Sequence, residues 1–361
     1  MAGLLYKDDW DACRDSLTGW WQRKVIGRPA VGVSAPRAKP LPFKSACKPS
    51  DSRDQWLNLQ FQIARHEETM TTHYLGGVTF PYMTACLGPG SLNLFLGCEA
   101  GFMPETVWYK PVNGNPKGLD LKLRPDNFYW KWTLDTTRAM LEYGKGKCAV
   151  GVPDLIEGLD ILSEVLGTEE LLTCLIDCPE EIHRLLRQLD SLYYKAFDPL
   201  FDMVKDDRGG NVFIAFYAWG PGRTLKTQCD FSAMISADMF AEFVVPYLEK
   251  QCSRCDFSVY HLDGPGAMRH LDLLCKVKSL KAIQWTPGHP NPCPADRVWW
   301  GKIWKKVYAS GKAAMVLGSS PELVEPFLKE FGQAGTMITT GTNTEREARK
   351  LLDDCVKWGR G

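Results

Sequence analysis

The amino-acid sequence predicts an α/β protein built as a (β/α)8 TIM barrel, with an N-terminal extension and an insertion after the second strand. Short β-branched or aromatic runs alternate with longer helical stretches, which is typical of parallel strands joined by crossover helices. Eight such runs occur, the number that closes a barrel. The 361 residues are 45% hydrophobic and show no internal repeat or linker. We therefore expect one domain over residues 1–361.

Each predicted strand is a run bounded by Gly, Pro or charged residues. The eight runs are Ala30–Pro36, Val78–Met83, Cys148–Ile156, Val212–Trp219, Phe257–Gly264, Lys281–Gly288, Ala313–Ser319 and Gly335–Thr342.

The helices between these runs carry their own signals. Residues 181–205 place apolar side chains at i, i+3, i+4 and i+7, which predicts one face packed on the barrel. Ser320, Pro321 and Glu322 predict a helix start and Gly332 its end. The sequence Thr342-Asn343-Thr344-Glu345 predicts a capping box with Thr342 as the cap. Residues 1–29 are expected to form a helical extension, and 84–147 an insertion covering the barrel mouth.

Composition and the absence of motifs exclude several classes of protein. The 43 basic and 43 acidic residues balance, so no overall field favours nucleic acid. The longest apolar runs are shorter than the roughly 20 residues that cross a bilayer, and we expect a cytoplasmic protein without membrane contact. Its 13 cysteines are scattered, which favours reduced thiols. Motifs typical of nicotinamide enzymes, P-loop proteins, triad hydrolases and zinc peptidases are absent.

The clearest candidate for a reacting centre lies at the end of the fifth predicted strand. There the alternation of side chains places His261 and Asp263 on one face. A His and a carboxylate so arranged can bind a metal, orient a substrate hydroxyl or act as an acid/base pair. In the alternative interpretation, Asp263 caps a helix that starts at Pro265, and His261 is a satisfied interior residue. Spacing alone does not separate these interpretations.

Further candidates end two other predicted strands. Tyr217 and Trp219 close the fourth run, and Gln284 and Trp285 lie in the sixth. At the barrel mouth these side chains would contact a small-molecule substrate, because aromatic faces bind flat or methylated groups. Packing at the barrel end is the alternative. Arg223, which follows Gly-Pro-Gly, is a candidate for binding a carboxylate or phosphate.

The block Tyr260–Asp272, followed by Ala282–Gly288, resembles the uroporphyrinogen decarboxylase superfamily, and in particular its branch related to corrinoid-dependent methyltransferases. The resemblance implies a (β/α)8 barrel with its site at the strand C-termini. The arginine-rich loop of the true decarboxylase is replaced here by Ser34–Arg37, which argues against haem synthesis.

The zinc methyltransferases of this superfamily bind the metal with a His-x-Cys pair and a later Cys. His261 matches, whereas Asp263 and Thr342 stand where the two cysteines would be. The resemblance therefore implies that any metal, zinc being the candidate, is held by His261 and Asp263 with oxygen ligands.

By the same resemblance, a methyl group passes from a small O- or N-methylated compound to cobalamin cobalt on a separate corrinoid protein. His261 and Asp263 are the catalytic candidates, with Glu99 as a third. Two alternatives stay open: a lyase that decarboxylates a small acid held by Arg223, and a barrel that binds a small molecule without chemistry. A homodimer is the candidate assembly.

Overall fold

A computed structural model describes residues 3–43, 48–112 and 115–359, and has the predicted α/β architecture. Its strands in chain order are β1 Ala30–Pro36, β2 His73–Gly77, β3 Tyr82–Met83, β4 Glu99–Phe102, β5 Val107–Lys110, β6 Ala149–Val152, β7 Asn211–Phe213, β8 Ala218–Gly220, β9 Thr224–Gln228, β10 Phe257–Asp263, β11 Ala282–Thr286, β12 Ala313–Ser319 and β13 Thr336–Gly341.

The α-helices surround these strands. In chain order they are α1 Trp10–Trp21, α2 Ser52–Leu57, α3 Leu59–Thr72, α4 Leu92–Leu96, α5 Phe128–Gly144, α6 Gly158–Leu166, α7 Thr168–Asp177, α8 Pro179–Val204, α9 Ala237–Phe243, α10 Val245–Ser253, α11 Gly264–Ala267, α12 Leu271–Lys276, α13 Lys305–Ala309, α14 Pro321–Phe331 and α15 Glu345–Cys355. None of the helices in the described ranges is long and apolar enough to cross a membrane.

The barrel wall consists of two sheet segments. One runs β2-β1-β13-β12-β11-β10-β9 and the other β3-β6-β7-β8. The Asn211 side chain joins them on one side, because its Oδ1 accepts from the Thr224 N–H (2.9 Å) and its Nδ2 donates to the Thr224 carbonyl (3.0 Å). On the other side the Val78 N–H donates to the Val31 carbonyl at 3.0 Å. The Asn211 bonds therefore connect the segments at one seam, whereas at the other seam the chain itself passes from β2 to β3 through Val78.

Two apolar cores follow from the alternation along the strands. Val259, Ala282 and Met337 point inward and pack together in the barrel interior. Tyr260 and Ile283, the next residues along their strands, point outward to the helix layer. Helix α1 closes the N-terminal end of the barrel, since its tryptophans belong to the inner core and the Trp20 Nε1–H donates to the Ala314 carbonyl at 3.0 Å.

The predicted strands correspond only in part to observed strands. The run 78–83 contains only the short strand β3, and β2, β4 and β5 were not predicted. The run 212–219 is not one strand: it folds back on itself, with Val212 of β7 paired antiparallel with Trp219 of β8. Strand β9, which pairs in parallel with β10, was not predicted. A chain that reverses within one apolar run gives no change in composition, so the pattern alone does not reveal the turn.

The sequence signals for helices predicted the observed elements more closely than those for strands. The stripe predicted over 181–205 lies on α8, and the start and end predicted for the later helix match α14 and Gly332. The predicted cap Thr342 is wrong, because α15 begins at Glu345 and Thr344 is its N-cap. Thr344 accepts from the Glu347 N–H, and the Glu347 side chain accepts from the Thr344 N–H.

The segment predicted as an insertion, 84–147, contains α4, the hairpin β4–β5 and α5. It reaches the C-terminal end of β6, since the N–H groups of Gly90 and Ser91 donate to the Asp154 carbonyl at 3.1 and 3.0 Å. Its hairpin packs on α2, where the Trp56 Nε1–H donates to the Met103 carbonyl at 2.7 Å. The division into extension, barrel and insertion stays a prediction.

Candidate functional site

Three neighbouring parallel strands each contribute two polar residues to the C-terminal end of the barrel. These pairs are Lys226 and Gln228 on β9, His261 and Asp263 on β10, and Gln284 and Thr286 on β11. The register places His261 beside both Gln228 and Gln284. Because alternate residues share a face, the six side chains form one polar layer above the apolar interior.

His261 is fixed by a hydrogen-bond chain across two strands. Its Nδ1 lies 2.5 Å from Gln284 Oε1, and Gln284 Nε2 donates to Thr286 Oγ1 at 2.8 Å. Since Gln284 offers an acceptor here, the hydrogen-bond network assigns the imidazole proton to Nδ1. Burial, followed by the charge of Lys226, lowers the pKa of His261. The site therefore holds a neutral imidazole whose unprotonated Nε2 lies 4.0 Å from Asp263 Oδ1.

Among the described residues, no hydrogen bond to the Asp263 side chain explains its position. It is the N-cap residue of α11, but its side chain makes no capping hydrogen bond, and that side chain is 43% exposed. The interpretation of Asp263 as a helix cap thus lacks the bond that defines a cap. The carboxylate is available to a ligand.

Asp230 joins the predicted pair and was missed by the sequence interpretation. One ligand atom each from Asp230, His261 and Asp263 lie within 4.8 Å of one another. Burial raises the pKa of Asp230 to about 7, and the negative charges of Asp160 and Asp263 raise it further. Asp230 is exposed at the rim, where solvent screens part of this shift, so its carboxyl group is protonated more readily than that of a free aspartate.

Lys226 places a buried positive charge beside this cluster. Its Nζ lies 2.7 Å from Asp154 Oδ1 and also donates to Gln228 Oε1, and only 4% of its side chain is exposed. Gln228 in turn donates through Nε2 to Asp160 and Asp230, both at 2.9 Å. The ammonium and the carboxylates are therefore parts of one connected network.

Two acidic residues after β6 complete the network. Asp160 accepts from the N–H groups of Asp230 and Phe231, each at 2.9 Å, so its charge is well compensated. Glu157 Oε1 accepts from the Gln228 N–H at 2.9 Å, while its buried Oε2 has no hydrogen-bond partner within the described part of the chain. Burial raises the pKa of Glu157 to about 8, and Glu157 is therefore mainly neutral at pH 7.

An aromatic wall, which we define as Tyr82, Phe216 and Tyr217, borders this polar layer. The Phe216 ring lies 5.2 Å from the His261 ring, and the Tyr217 ring stacks on Tyr82 with centroids 4.5 Å apart. Tyr217 is half-exposed and has φ +51°, an uncommon conformation for a bulky residue. Non-glycine residues in this region cost free energy and concentrate at functional sites.

The structure corrects the predicted position of two tryptophans. Trp219 is 1% exposed and lies at the N-terminal end of the barrel, where its Nε1–H donates to Asp206 at 2.9 Å. Trp285 is fully buried and points outward, with its ring 5.1 Å from that of Trp299. Neither indole reaches the mouth, because the first lies on the returning strand of a hairpin and the second alternates with inward-facing Gln284.

Arg223 and Glu99 also lie away from the mouth. Arg223 precedes β9 at the N-terminal end of the barrel, forms an ion pair with Asp198, and stacks over the Phe197 ring at 5.3 Å. Glu99 is exposed on the hairpin β4–β5, and its nearest recorded ionic partner is Lys110 at 3.5 Å. Neither residue is brought together with His261 and Asp263.

Two sequence signals mark the residues that were missed. The alternating segment Thr224–Gln228 is a short strand whose inward positions hold Lys226 and Gln228. Asp154, Glu157 and Asp160 recur every third residue, the first within the third predicted strand and the other two just after it. Acidic residues at a strand C-terminus of a barrel are positioned for function.

The comparisons with known proteins indicate the fold. No protein-family model matches the chain, and no curated protein sequence does. A solved methyltransferase from Methanosarcina mazei is similar over 96% of this chain and 98% of its own, with a TM-score of 0.58 and 11% identity. A Haloferax volcanii malate synthase, solved as its lead(II) complex, reaches a TM-score of only 0.32, with 8% identity over 62% of this chain and 59% of its own.

Proposed function

We propose that this chain is a methyltransferase that moves a methyl group from a small O- or N-methylated substrate to cobalt of a separate corrinoid protein. The observation that carries the proposal is a neutral His261, with Nε2 free and Asp263 beside it, at the strand ends of a barrel. The resemblance of residues 260–288 to the methyltransferase branch of the uroporphyrinogen decarboxylase superfamily supports it, as does the methyltransferase fold found by comparison. We further propose that the protein acts in the cytoplasm.

The residues of the mouth fit the needs of such a transfer. A methyl group leaves oxygen or neutral nitrogen more readily when that atom gains a proton. Asp230, whose pKa is raised to about 7, can supply that proton at neutral pH. Asp263 and His261 would orient the substrate through hydrogen bonds, and the aromatic wall would hold the methyl group in line with its acceptor.

Within this proposal, a divalent metal ion such as zinc is the alternative to the proton supplied by Asp230. His261 Nε2 and the carboxylates of Asp263 and Asp230 would hold it, because one imidazole with oxygen ligands is a donor set that zinc accepts and their spacing is close to that of a metal site. When bound there, the ion would polarise the leaving atom as a Lewis acid. The bond from His261 Nδ1 to Gln284 is the outer-shell contact that orients a histidine ligand.

One observation favours a second candidate, a decarboxylating lyase. Arg223 lies at the other end of the barrel, but Lys226 provides a buried cation at the mouth. A substrate carboxylate could replace Asp154 as its partner. This alternative requires the Lys226–Asp154 ion pair to open, whereas methyl transfer leaves it intact. A barrel that binds a small molecule without chemistry is the third candidate.

The experiment that tests the proposal is a methyl-transfer assay. The purified protein is incubated with reduced cobalamin, or with a corrinoid protein, and a panel of O- and N-methylated compounds, while the absorbance of methylcobalamin is followed. We expect transfer from at least one compound and a loss with His261→Ala. The exposed His289→Ala is the matched control. Release of CO₂ from small acids without methylation of cobalt would instead establish the lyase.

A further inference from the structure

We propose that a small cavity in the helix layer binds water, which bridges the side chains of Glu157 and Gln251 and thereby ties the C-terminal end of β9 to α10. The cavity lies between α6, α8 and α10, among side chains of the outer apolar core. None of the groups assigned to methyl transfer is required for this water site, so it stands or falls independently of the proposed function.

Two residues that line the cavity each carry a buried polar atom without a hydrogen-bond partner among the described residues. These atoms are Oε2 of Glu157 and Nε2 of Gln251. Gln251 is only 5% exposed, so bulk solvent does not satisfy its amide. Buried polar groups of folded proteins are almost always hydrogen-bonded, either to protein or to ordered water. Each of the two atoms therefore points to a bound partner in the cavity.

Both residues are anchored by other bonds, so the cavity lies between two fixed elements. Glu157 is held from the barrel mouth, because its Oε1 accepts from the Gln228 N–H at 2.9 Å and leaves Oε2 as the remaining oxygen. Gln251 lies on α10, whose backbone is tied to α8 by the Tyr194 hydroxyl, which donates to the Gln251 carbonyl at 2.7 Å. A ligand of both side chains would therefore connect the end of β9 to the helix layer.

The chemistry of the lining selects an uncharged oxygen ligand. Burial raises the pKa of Glu157 to about 8, so the group is mainly neutral at pH 7, and its proton belongs on Oε2 because Oε1 accepts the backbone N–H. Glu157 Oε2 and Gln251 Nε2 are then both donors, and the two lone pairs of one water oxygen can accept from both. Asp190, which also lines the cavity, adds an acceptor for the hydrogens of the water. A metal ion would meet the amide N–H and an anion would meet Asp190, so neither fits.

The size of the cavity matches this ligand. Its volume is about 30 Å³, and one water molecule needs roughly 10–15 Å³ of such space. One or two water molecules therefore fit, whereas an organic ligand with several carbon atoms does not. Much of the remaining wall is apolar and includes Leu159, Leu186 and Leu248. The polar atoms of the lining are consequently what holds the water.

The first measurement counts long-lived water molecules of the full chain in solution, by the magnetic relaxation of water oxygen nuclei. Gln251→Leu, which removes the amide, should lower the count by about one or two molecules. Glu157→Gln should leave it unchanged, because the new amide keeps a polar atom at the position of Oε2. The control is Gln62→Leu, since Gln62 is equally buried but its Nε2 already donates to the Gln55 carbonyl at 2.6 Å. An unchanged count in Gln251→Leu would overturn the proposal.

A high-resolution crystal structure of the unchanged protein gives a second readout that does not depend on the folding of any variant. We expect density for water within hydrogen-bond distance of both Glu157 Oε2 and Gln251 Nε2. A cavity without density, or with density for an organic molecule, would refute the water site. Amide hydrogen exchange tests the tie to β9: the Gln228 N–H should exchange about fivefold faster in Gln251→Leu, because Glu157 loses its bridge. Unchanged exchange at Gln228 would show that the cavity does not tie β9 to α10.

Discussion

The two ends of the barrel differ in how their charged side chains are paired. At the closed N-terminal end, Arg14 of α1 is fully buried and pairs with Asp11, Asp206 and Asp207. Its guanidinium also lies 5.3 Å from the ring of Trp10. At the open end, no basic side chain of the described residues other than His261 lies within ion-pair distance of Asp230 or Asp263, and Tyr217 has a strained backbone. The closed end is organised for stability, whereas the open end retains unsatisfied groups that a ligand can use.

This difference explains why similar polar or aromatic residues near strand ends have different roles. Trp219 and Arg223 are polar or aromatic residues near strand ends, as are Tyr217 and Lys226. The hairpin β7–β8 carries the chain from the open end to the closed end between residues 217 and 219. Two residues of sequence therefore separate a half-exposed residue at the mouth from a buried residue in the closed end.

The largest expected effect concerns the closed end. Arg14→Met should lower the free energy of unfolding by about 3 kcal/mol, because it removes the buried cation that pairs with Asp206 and Asp207. Urea denaturation measures this loss. Arg208→Met is the control, since Arg208 pairs with Asp15 and Asp11 nearer the surface and should cost about 1 kcal/mol or less. Equal losses for the two variants would contradict the assignment of the closed end to stability.

At the open end we expect substitutions to reduce turnover and to leave stability nearly unchanged. His261→Ala or Asp263→Ala should reduce turnover by roughly 10²-fold, about 2.7 kcal/mol of transition-state stabilisation, because each removes a group from the reacting centre. The melting temperature should stay nearly unchanged. Turnover and melting temperature are measured on the same preparations. Variants that lose stability but keep turnover would show that the pair is structural.

A third prediction concerns pH. The pKa of Glu157 is raised to about 8 in the folded protein, so the folded state binds more protons than the unfolded state as pH rises from about 4.5 to 8. Stability therefore falls with rising pH across this window. The pKa of Asp230 is also raised, so Asp230 too makes the folded state less stable as pH rises, over a lower pH range.

Glu157→Gln should remove the part of this loss that belongs to Glu157, on the order of 2 kcal/mol, because the amide imitates the protonated acid. Melting temperatures at pH 6 and pH 9 measure it, and the variant should be relatively more stable at pH 9. The solvent-exposed Glu169→Gln is the control. An unchanged pH dependence in Glu157→Gln would indicate that this carboxyl group is ionised.

The smallest effect distinguishes the N-cap of α15 from a neighbouring threonine that was predicted to be the cap. Thr344→Ala should cost about 1 kcal/mol of stability, because it removes the N-cap of α15. Thr342→Ala should cost only a few tenths, since the Thr342 hydroxyl donates to one exposed carbonyl. Thermal unfolding compares the two variants directly. A larger loss for Thr342→Ala would restore it as the cap.

Sequence alone located the candidate centre only in part. The spacing of His261 and Asp263 was sufficient to place them on one face, because alternation along a strand is a local property. It did not show whether that face points inward. For the sixth run, the sequence analysis proposed both Gln284 and Trp285 as substrate contacts, although adjacent residues of a strand must face opposite sides of the sheet. Parallel strands are apolar on both faces, so composition does not identify the inner one.

What the sequence determined by itself is local or periodic: the alternation of strands and helices that gives an α/β barrel, the apolar stripe of α8, and the pair at the end of β10. Only the tertiary structure decided which charges meet. Lys226 and Asp154 are distant along the chain, and Asp230 approaches His261 through the loop after β9. Such pairs depend on the register and closure of the barrel, because the neighbours of an inward-facing side chain are set by the adjacent strands and not by its own segment.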